Sequence, residues 1–381
     1  MHYRRLGKTG LMVSEVGFGG EWLERHEFQE SVELIRYAGK QGINIIDCWM
    51  ADPKSRRIIG EAVKEERASW FIQGHIGSTW QNGQYVRTRD MEFVKPAFYD
   101  LLTYLQTDYV DLGMIHFVDD QRDWDLLMGN GFIDFVKELK AAGTIRHIGL
   151  STHNPRIGRM AAESGFIEMI LFSINPAFDM LPANEDINVL FADTYDSALK
   201  GIDPERAALY QCCEQNDVGI TVMKSFAGGR LFDAARSPFG VALTPVQCIH
   251  YALTRPAVGS VLCGYDTKEQ IDRAVAYETA TQEEKDYASV IAGAPFHSYT
   301  GECTYCGHCR PCAAELDIAM INKYYDLAVM QPTLPQSVKE HYLSLGHTAS
   351  ECIGCRACEE RCPFSVPIAE RMGKTAELFG K

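Results

Sequence analysis

The stretch GFIDFVKELKAAGTIRHIGLST, residues 131–152, reads as an amphipathic helix closed by glycine and followed by a short β-rich strand. Glycine just past a periodic run stops a helix, and a helix that feeds straight into an apolar strand is half of a repeated βα unit. The same alternation extends in both directions. Candidate strands lie at 13–20, 43–48, 69–76, 109–117, 145–152, 168–174, 219–226 and 259–264. Helix-like segments such as EFQESVELIRYAGKQG, MEFVKPAFYDLLTYLQ, PERAALYQCCEQNDVG and TPVQCIHYALTRP fall between them. Eight such units within residues 1–290 predict an α/β fold, a (β/α)8 TIM barrel. An open doubly wound sheet has the same alternation, but no GxGxxG follows the first strand.

The remaining residues, 291–381, carry a different signal. Of 13 cysteines, Cys48, Cys212, Cys213, Cys248 and Cys263 are scattered in apolar surroundings and read as small buried hydrophobes. The other eight form two runs, Cys303-x2-Cys306-x2-Cys309-x2-Cys312 and Cys352-x2-Cys355-x2-Cys358-x3-Cys362-Pro363. Three thiolates at two-residue intervals wrap one corner of a cubane, while the fourth cysteine of each run closes the other cluster. The expectation is two [4Fe-4S] clusters in a small ferredoxin-like α+β domain. Cys303, Cys306, Cys309 and Cys362 would hold one, and Cys352, Cys355, Cys358 and Cys312 the other. The competing reading is zinc, although zinc ligands usually come as separated pairs.

Composition narrows the partners. A net charge of −14 over 381 residues, with acids mixed among bases, argues against nucleic acid and anionic membranes. No apolar run approaches membrane-spanning length and the basic start lacks a signal-peptide pattern, so a cytoplasmic location is expected.

In a barrel of this class, chemistry sits at the carboxyl ends of the strands. Asp47 ends the second candidate strand, His75 the third and His116 the fourth, and Asp52 lies in the loop after Asp47. Two carboxylates and two imidazoles suit proton transfer, or a divalent metal at the barrel mouth.

The segments YRRLGKTGLMVSEVGFGG, GINIIDC, DYVDLGMIHF, RHIGLSTHNP and GITVMKSFAGGRL, in that order, resemble the aldo-keto reductases over residues 1 to about 290. The cysteine-rich tail resembles a subgroup with a C-terminal ferredoxin-like domain. The resemblance implies hydride transfer from NAD(P)H to a carbonyl, with an Asp, Tyr, Lys, His tetrad. Asp47 and His116 match the family aspartate and histidine; Asp52 stands at the tyrosine position and His75 at the lysine position. His75 or His116 is then expected to supply the missing acid, oriented by Asp47 or Asp52.

The same resemblance implies cofactor contacts. Lys224, Ser225, Gly228 and Gly229 match the loop over the pyrophosphate, and Gly264, Lys268 and Gln270 the adenosine-phosphate region. Ser151, with Thr152 beside it, matches the nicotinamide carboxamide contact, and Ser173 or Asn175 stands near the family's strand-six glutamine. The polar connection from Asp179 to Arg206 is long enough to lid the site.

The leading expectation is an iron-sulfur oxidoreductase acting on a small organic carbonyl, fed by a nicotinamide, ferredoxin or another electron carrier. A lyase or isomerase with structural clusters is the alternative, and a redox-sensing partner protein is a third.

Overall fold

The computed structural model describes all residues except 22, 193–194, 197, 296–298, 330–332 and 335. Eight parallel strands close into a barrel: β1 Val16–Gly19, β2 Ile45–Cys48, β3 Phe71–Ile76, β4 Val110–Ile115, β5 Ile145–Thr152, β6 Met169–Ser173, β7 Gly219–Met223 and β8 Val258–Gly264. Each pairs with its sequence neighbours, and β8 returns to β1 through Val261↔Val16. All eight strands read from the sequence are present, and the open-sheet alternative is excluded by closure.

Strand alternation decides what fills the barrel. Interior positions climb from Ile45 to Asp47 on β2, from Phe71 through Gln73 to His75 on β3, and from Leu112 through Met114 to His116 past β4. The lower layers form an apolar cluster of Ile45, Leu112, Met114, Met169, Leu171 and Leu262, sealed from below by Leu6 and Val13 of an N-terminal hairpin. The titratable interior side chains Asp47, His75 and His116 sit toward the open end. The outer faces of the strands pack on the surrounding helices in one continuous core, which includes the scattered cysteines Cys48, Cys212, Cys213, Cys248 and Cys263.

One insertion bears on the mouth. After β3 an antiparallel hairpin, Ser78–Gln81 with Gln84–Arg87, turns through Asn82 and Gly83, both at positive φ (52° and 78°). Asn-Gly suits such a turn because both central residues must be left-handed. The hairpin is fixed at its base: Ser78 Oγ donates to Trp49 O (2.6 Å), and Arg87 Nη1 donates to Phe117 O (2.8 Å).

The expectation of an α+β tail is corrected. Among the described residues, 291–381 contain helices Ile318–Val329, Gln336–Leu343, Ala357–Glu360 and Ile368–Phe379 and no strand. The cysteine runs turn too tightly for extended pairing, with Tyr305, Gly307, Gly354 and Arg356 at positive φ, and the segments beside them are helical. The tail packs against helices Pro204–Gln215 and Pro245–Leu253. Lys323 pairs with Glu214 (2.9 Å), Gln211 Nε2 donates to Asp326 O (3.2 Å), and Arg255 donates to Thr304 O. No helix among the described residues is long and apolar enough to cross a membrane.

Candidate active site and cysteine cavities

At the barrel mouth four side chains form one hydrogen-bonded line. Tyr85, from the hairpin, meets His116 Nε2 at 2.7 Å; His116 Nδ1 meets His75 Nδ1 at 2.7 Å; His75 Nε2 meets Asp47 Oδ1 at 2.9 Å. Behind them Gln73 Nε2 donates to Asp47 Oδ1 (2.8 Å), and Thr221 Oγ1 donates to Gln73 Oε1 (2.8 Å). His75 and His116 are both buried, and Trp49 stacks on the His116 ring at 6.2 Å with a 7° tilt. Burial, and then the neighbouring His75 and two arginines, push the His116 imidazole well below its ordinary range, so it is neutral. Gly20 permits the close approach: a Cβ there would sit 2.1 Å from Asp47 O.

Of the sequence-predicted catalytic residues, Asp47, His75 and His116 are thus joined directly. Asp52 is not. Its Oδ2 accepts from Ser55 N (2.8 Å) and Ser55 Oγ (3.0 Å), capping helix Pro53–Val63. The divalent metal considered for this mouth finds no tight ligand group there among the described residues. Among the described residues the one acidic, histidine or cysteine group with ligand atoms all within 4.8 Å is His2, Glu15 and Glu278, at the barrel floor. The two imidazoles instead use their facing nitrogens on each other.

A second chain flanks the first. Lys224 Nζ meets His153 Nε2 at 3.0 Å, and His153 Nδ1 meets Asp119 Oδ2 at 2.9 Å. Burial and the adjacent Lys224 push His153 down to about 4. Burial also pushes the Lys224 ammonium down, against Glu21, Asp119 and Asp47. Lys224 adopts φ 59°, a left-handed backbone that lysine rarely takes.

Several expected cofactor contacts are engaged within the protein. Ser151 Oγ accepts from Phe117 N (2.8 Å), and Thr152 Oγ1 donates to Asp119 (2.8 Å). Asn175 binds Ala177 N, Phe178 N and Lys224 O, while Gln270 Oε1 accepts from Asp266 N (2.6 Å). Ser173 Oγ is buried without a partner, and Ser225 is buried. Gly228 and Gly229 have φ 64° and 84°, and no atom lies within 4 Å of a Cβ built on Gly229. Gly264 and Lys268 are open to solvent beyond β8. Of the long connection, Tyr195 lies under the Arg230 guanidinium (5.6 Å), so it reaches the loop after β7.

The cysteines converge in two sets. One cavity is lined by Cys303, Cys306, Cys309 and Cys362, and a second by Cys312, Cys352, Cys355 and Cys358. Each cavity gathers three cysteines of one run and the fourth of the other. Neither set has its sulfurs all within 4.8 Å of one another.

Gln73, Tyr85, Asp119 and His153 were not singled out in the sequence. Gln73 lies two residues before His75, on the same face of the strand, and Tyr85 follows an Asn-Gly turn; those were the available signals.

Comparison with known proteins supplies the remaining constraint. Residues 15–242, well over half of the chain, match the family described as the aldo/keto reductase family. An uncharacterized oxidoreductase of Bacillus subtilis, YqkF, is 28% identical over 285 residues, covering 71% of this chain and 89% of its own. Among solved structures, the aldo-keto reductase AKR11C1 of Bacillus halodurans in its holo form superposes with a TM-score of 0.58 at 22% identity, over 76% of this chain and 96% of its own. An aldo-keto reductase of Klebsiella pneumoniae in complex with NADPH gives a TM-score of 0.52 at 16% identity, over 74% and 90%.

Proposed function

Because the chain belongs to the aldo/keto reductase family, a family of oxidoreductases, we propose that it reduces a small carbonyl compound at the barrel mouth, with Tyr85, His116, His75 and Asp47 delivering the proton. The observation that carries this reading is the unbroken line of three hydrogen bonds from a phenol at the mouth to a buried carboxylate.

Partners fix the protons. Asp47 Oδ1 accepts from the Gln73 amide, so His75 carries hydrogen on Nε2 toward it. Neutral His75 then accepts at Nδ1 from His116 Nδ1–H, and His116 accepts at Nε2 from the Tyr85 hydroxyl. Adding one proton reverses the outer bonds. His75 then donates at both nitrogens, His116 donates from Nε2 to the Tyr85 oxygen, and the phenolic hydrogen is released toward the mouth. When Tyr85 gives that hydrogen to a substrate oxygen, it takes another from His116 Nε2, and His116 takes one from His75 Nδ1. The line returns to its resting state one proton poorer, which is the proton that a carbonyl needs beside a hydride.

Bound NAD(P)H would supply the hydride. Gly228 and Gly229, whose left-handed backbones leave room for close approach, would hold its phosphates with Lys224, and Lys268 would meet the adenosine end. Ser151, Thr152 and Asn175 would act there by fixing the backbone of the mouth rather than by direct contact.

Residues 291–381 we read as a unit for two [4Fe-4S] clusters, one on Cys303, Cys306, Cys309 and Cys362, the other on Cys312, Cys352, Cys355 and Cys358. Such clusters would exchange single electrons with a ferredoxin or another carrier. The donor sets fit. The first cavity also carries a buried side-chain donor with no partner, Asn322 Nδ2, and a Thr304 hydroxyl turned to the Cys306 thiol.

The test is anaerobic purification, iron and sulfide assay, and NADH or NADPH oxidation against a panel of small aldehydes and ketones. About eight irons and nicotinamide oxidation matched by alcohol formation support the reading. A protein that binds no nicotinamide and exchanges substrate C–H protons instead would make it a lyase or isomerase.

A further inference from the structure

The two cysteine cavities differ in what surrounds the thiols. Around Cys303, Cys306, Cys309 and Cys362 the wall includes Thr304 and Asn322, which are 1% and 0% exposed. Asn322 Nδ2 has no hydrogen-bond partner, and the Thr304 hydroxyl is turned to the Cys306 thiol. Both groups are held in place by their other atoms. The Thr304 carbonyl accepts from Arg255 and from Tyr287 OH (2.8 Å), both on the barrel side. Asn322 Oδ1 accepts from Arg371 Nε (2.8 Å), which leaves its amide N–H groups to the cavity. Buried donors left unpaired cost free energy, so an unpaired Asn322 amide beside a Thr304 hydroxyl turned to Cys306 points to an acceptor that fills this cavity. The other cavity has no such group among the described residues. It lies at the surface instead, where Cys355 is exposed and Ile353 beside it is 69% exposed.

We propose that Thr304 and Asn322 donate hydrogen bonds to sulfur of the cluster held by Cys303, Cys306, Cys309 and Cys362, and so raise the potential of that cluster alone. The inference rests on the cluster reading above. A cluster gains negative charge on reduction, and burial opposes that gain, whereas N–H and O–H donors aimed at sulfur favour it. The two donors offset burial at the inner site, while at the outer site water does so. Because Arg255 and Tyr287 grip the Thr304 carbonyl, the donor's aim is set by docking on the barrel. The exposed cluster is then the port for an external carrier, and the inner one the side that faces the barrel.

The experiment is a dye-mediated potentiometric titration of the full-length protein followed by electron paramagnetic resonance, after iron and sulfide assay. In Thr304→Val one of two reduction waves is expected to move to more negative potential by about tenfold in the reduction equilibrium, 59 mV for one electron. The other wave stays, and Thr304→Ser, which keeps the hydroxyl, restores the first. Two unmoved waves, two equally shifted waves, or a serine variant that behaves like valine would overturn the proposal. If Thr304→Val fails to load iron, the wild-type protein decides: pulsed resonance in D2O must show exchangeable deuterons at the inner cluster, and their absence overturns it. A wild-type protein without iron and sulfide overturns the cluster reading itself.

Discussion

Replacing Tyr85 by phenylalanine removes one oxygen from the mouth and leaves its ring in place. The ring packs edge-on against Trp49 (5.6 Å) and His116 (5.8 Å), contacts that phenylalanine keeps. What is lost is the hydroxyl 2.7 Å from His116 Nε2. A positioned general acid contributes about 10²–10⁴ in rate, which at 1.36 kcal/mol per tenfold is about 3–5 kcal/mol of barrier. The fold loses less: His116 Nε2 is left unpartnered, at about 1–3 kcal/mol. The assay is single-turnover oxidation of NADPH with a carbonyl that the wild type reduces, with KM measured alongside. Loss of kcat at nearly constant KM is expected, because the proton is transferred only in the transition state. A kcat within threefold of wild type would refute the relay, and a raised KM with unchanged kcat would make Tyr85 a binding contact.

Other expectations test other parts of the structure. Cys362→Ala and Cys312→Ala should each lower iron from about eight to about four per chain, and should remove different cluster signals; loss of the same signal from both would break the partition. Gly20→Ala would drive a methyl into Asp47 O at 2.1 Å; a fall in activity and in thermal midpoint is expected, and unchanged kinetics would show that the backbone there yields freely. His153 titrates near 4 when folded and near 6.5 when unfolded, so the unfolded chain binds the extra proton between those values. Stability is therefore full above pH 6.5 and falls as pH drops toward 4, by up to about 3 kcal/mol. Denaturant unfolding at pH 7 and pH 5 checks the direction, and a His153→Gln variant should show a flatter profile.

The barrel was legible because each strand is a short apolar run bounded by helix stops, and closure makes every such run a buried strand. Asp47, His75 and His116 were legible for the same reason, since polar residues that end apolar strands stand out. Tyr85 was hidden because STWQNGQYVR reads as a polar loop; only its Asn-Gly centre marks a hairpin, and nothing local says the hairpin folds over the mouth. The capping role of Asp52 was not legible, because position in a loop does not distinguish a helix cap from a catalytic carboxylate. Asp119 and His153 needed three dimensions: they are 34 residues apart and meet where the loop after β4 crosses the end of β5. The tail's cysteine sets were plain from spacing, but the lack of strands among its described residues was not.

The hairpin that carries Tyr85 is not one of the barrel's staves. It is a clip added between β3 and the helix that follows, and its turn contributes nothing to barrel closure. A proton donor mounted on a clip can change without disturbing a single barrel strand. In the proposed mechanism the hydroxyl comes from this clip, while the head of the helix after β2 carries a helix cap, Asp52. On that mechanism the approach angle of the substrate would turn with the clip, which would then bear on which carbonyls fit as well as on how they are protonated.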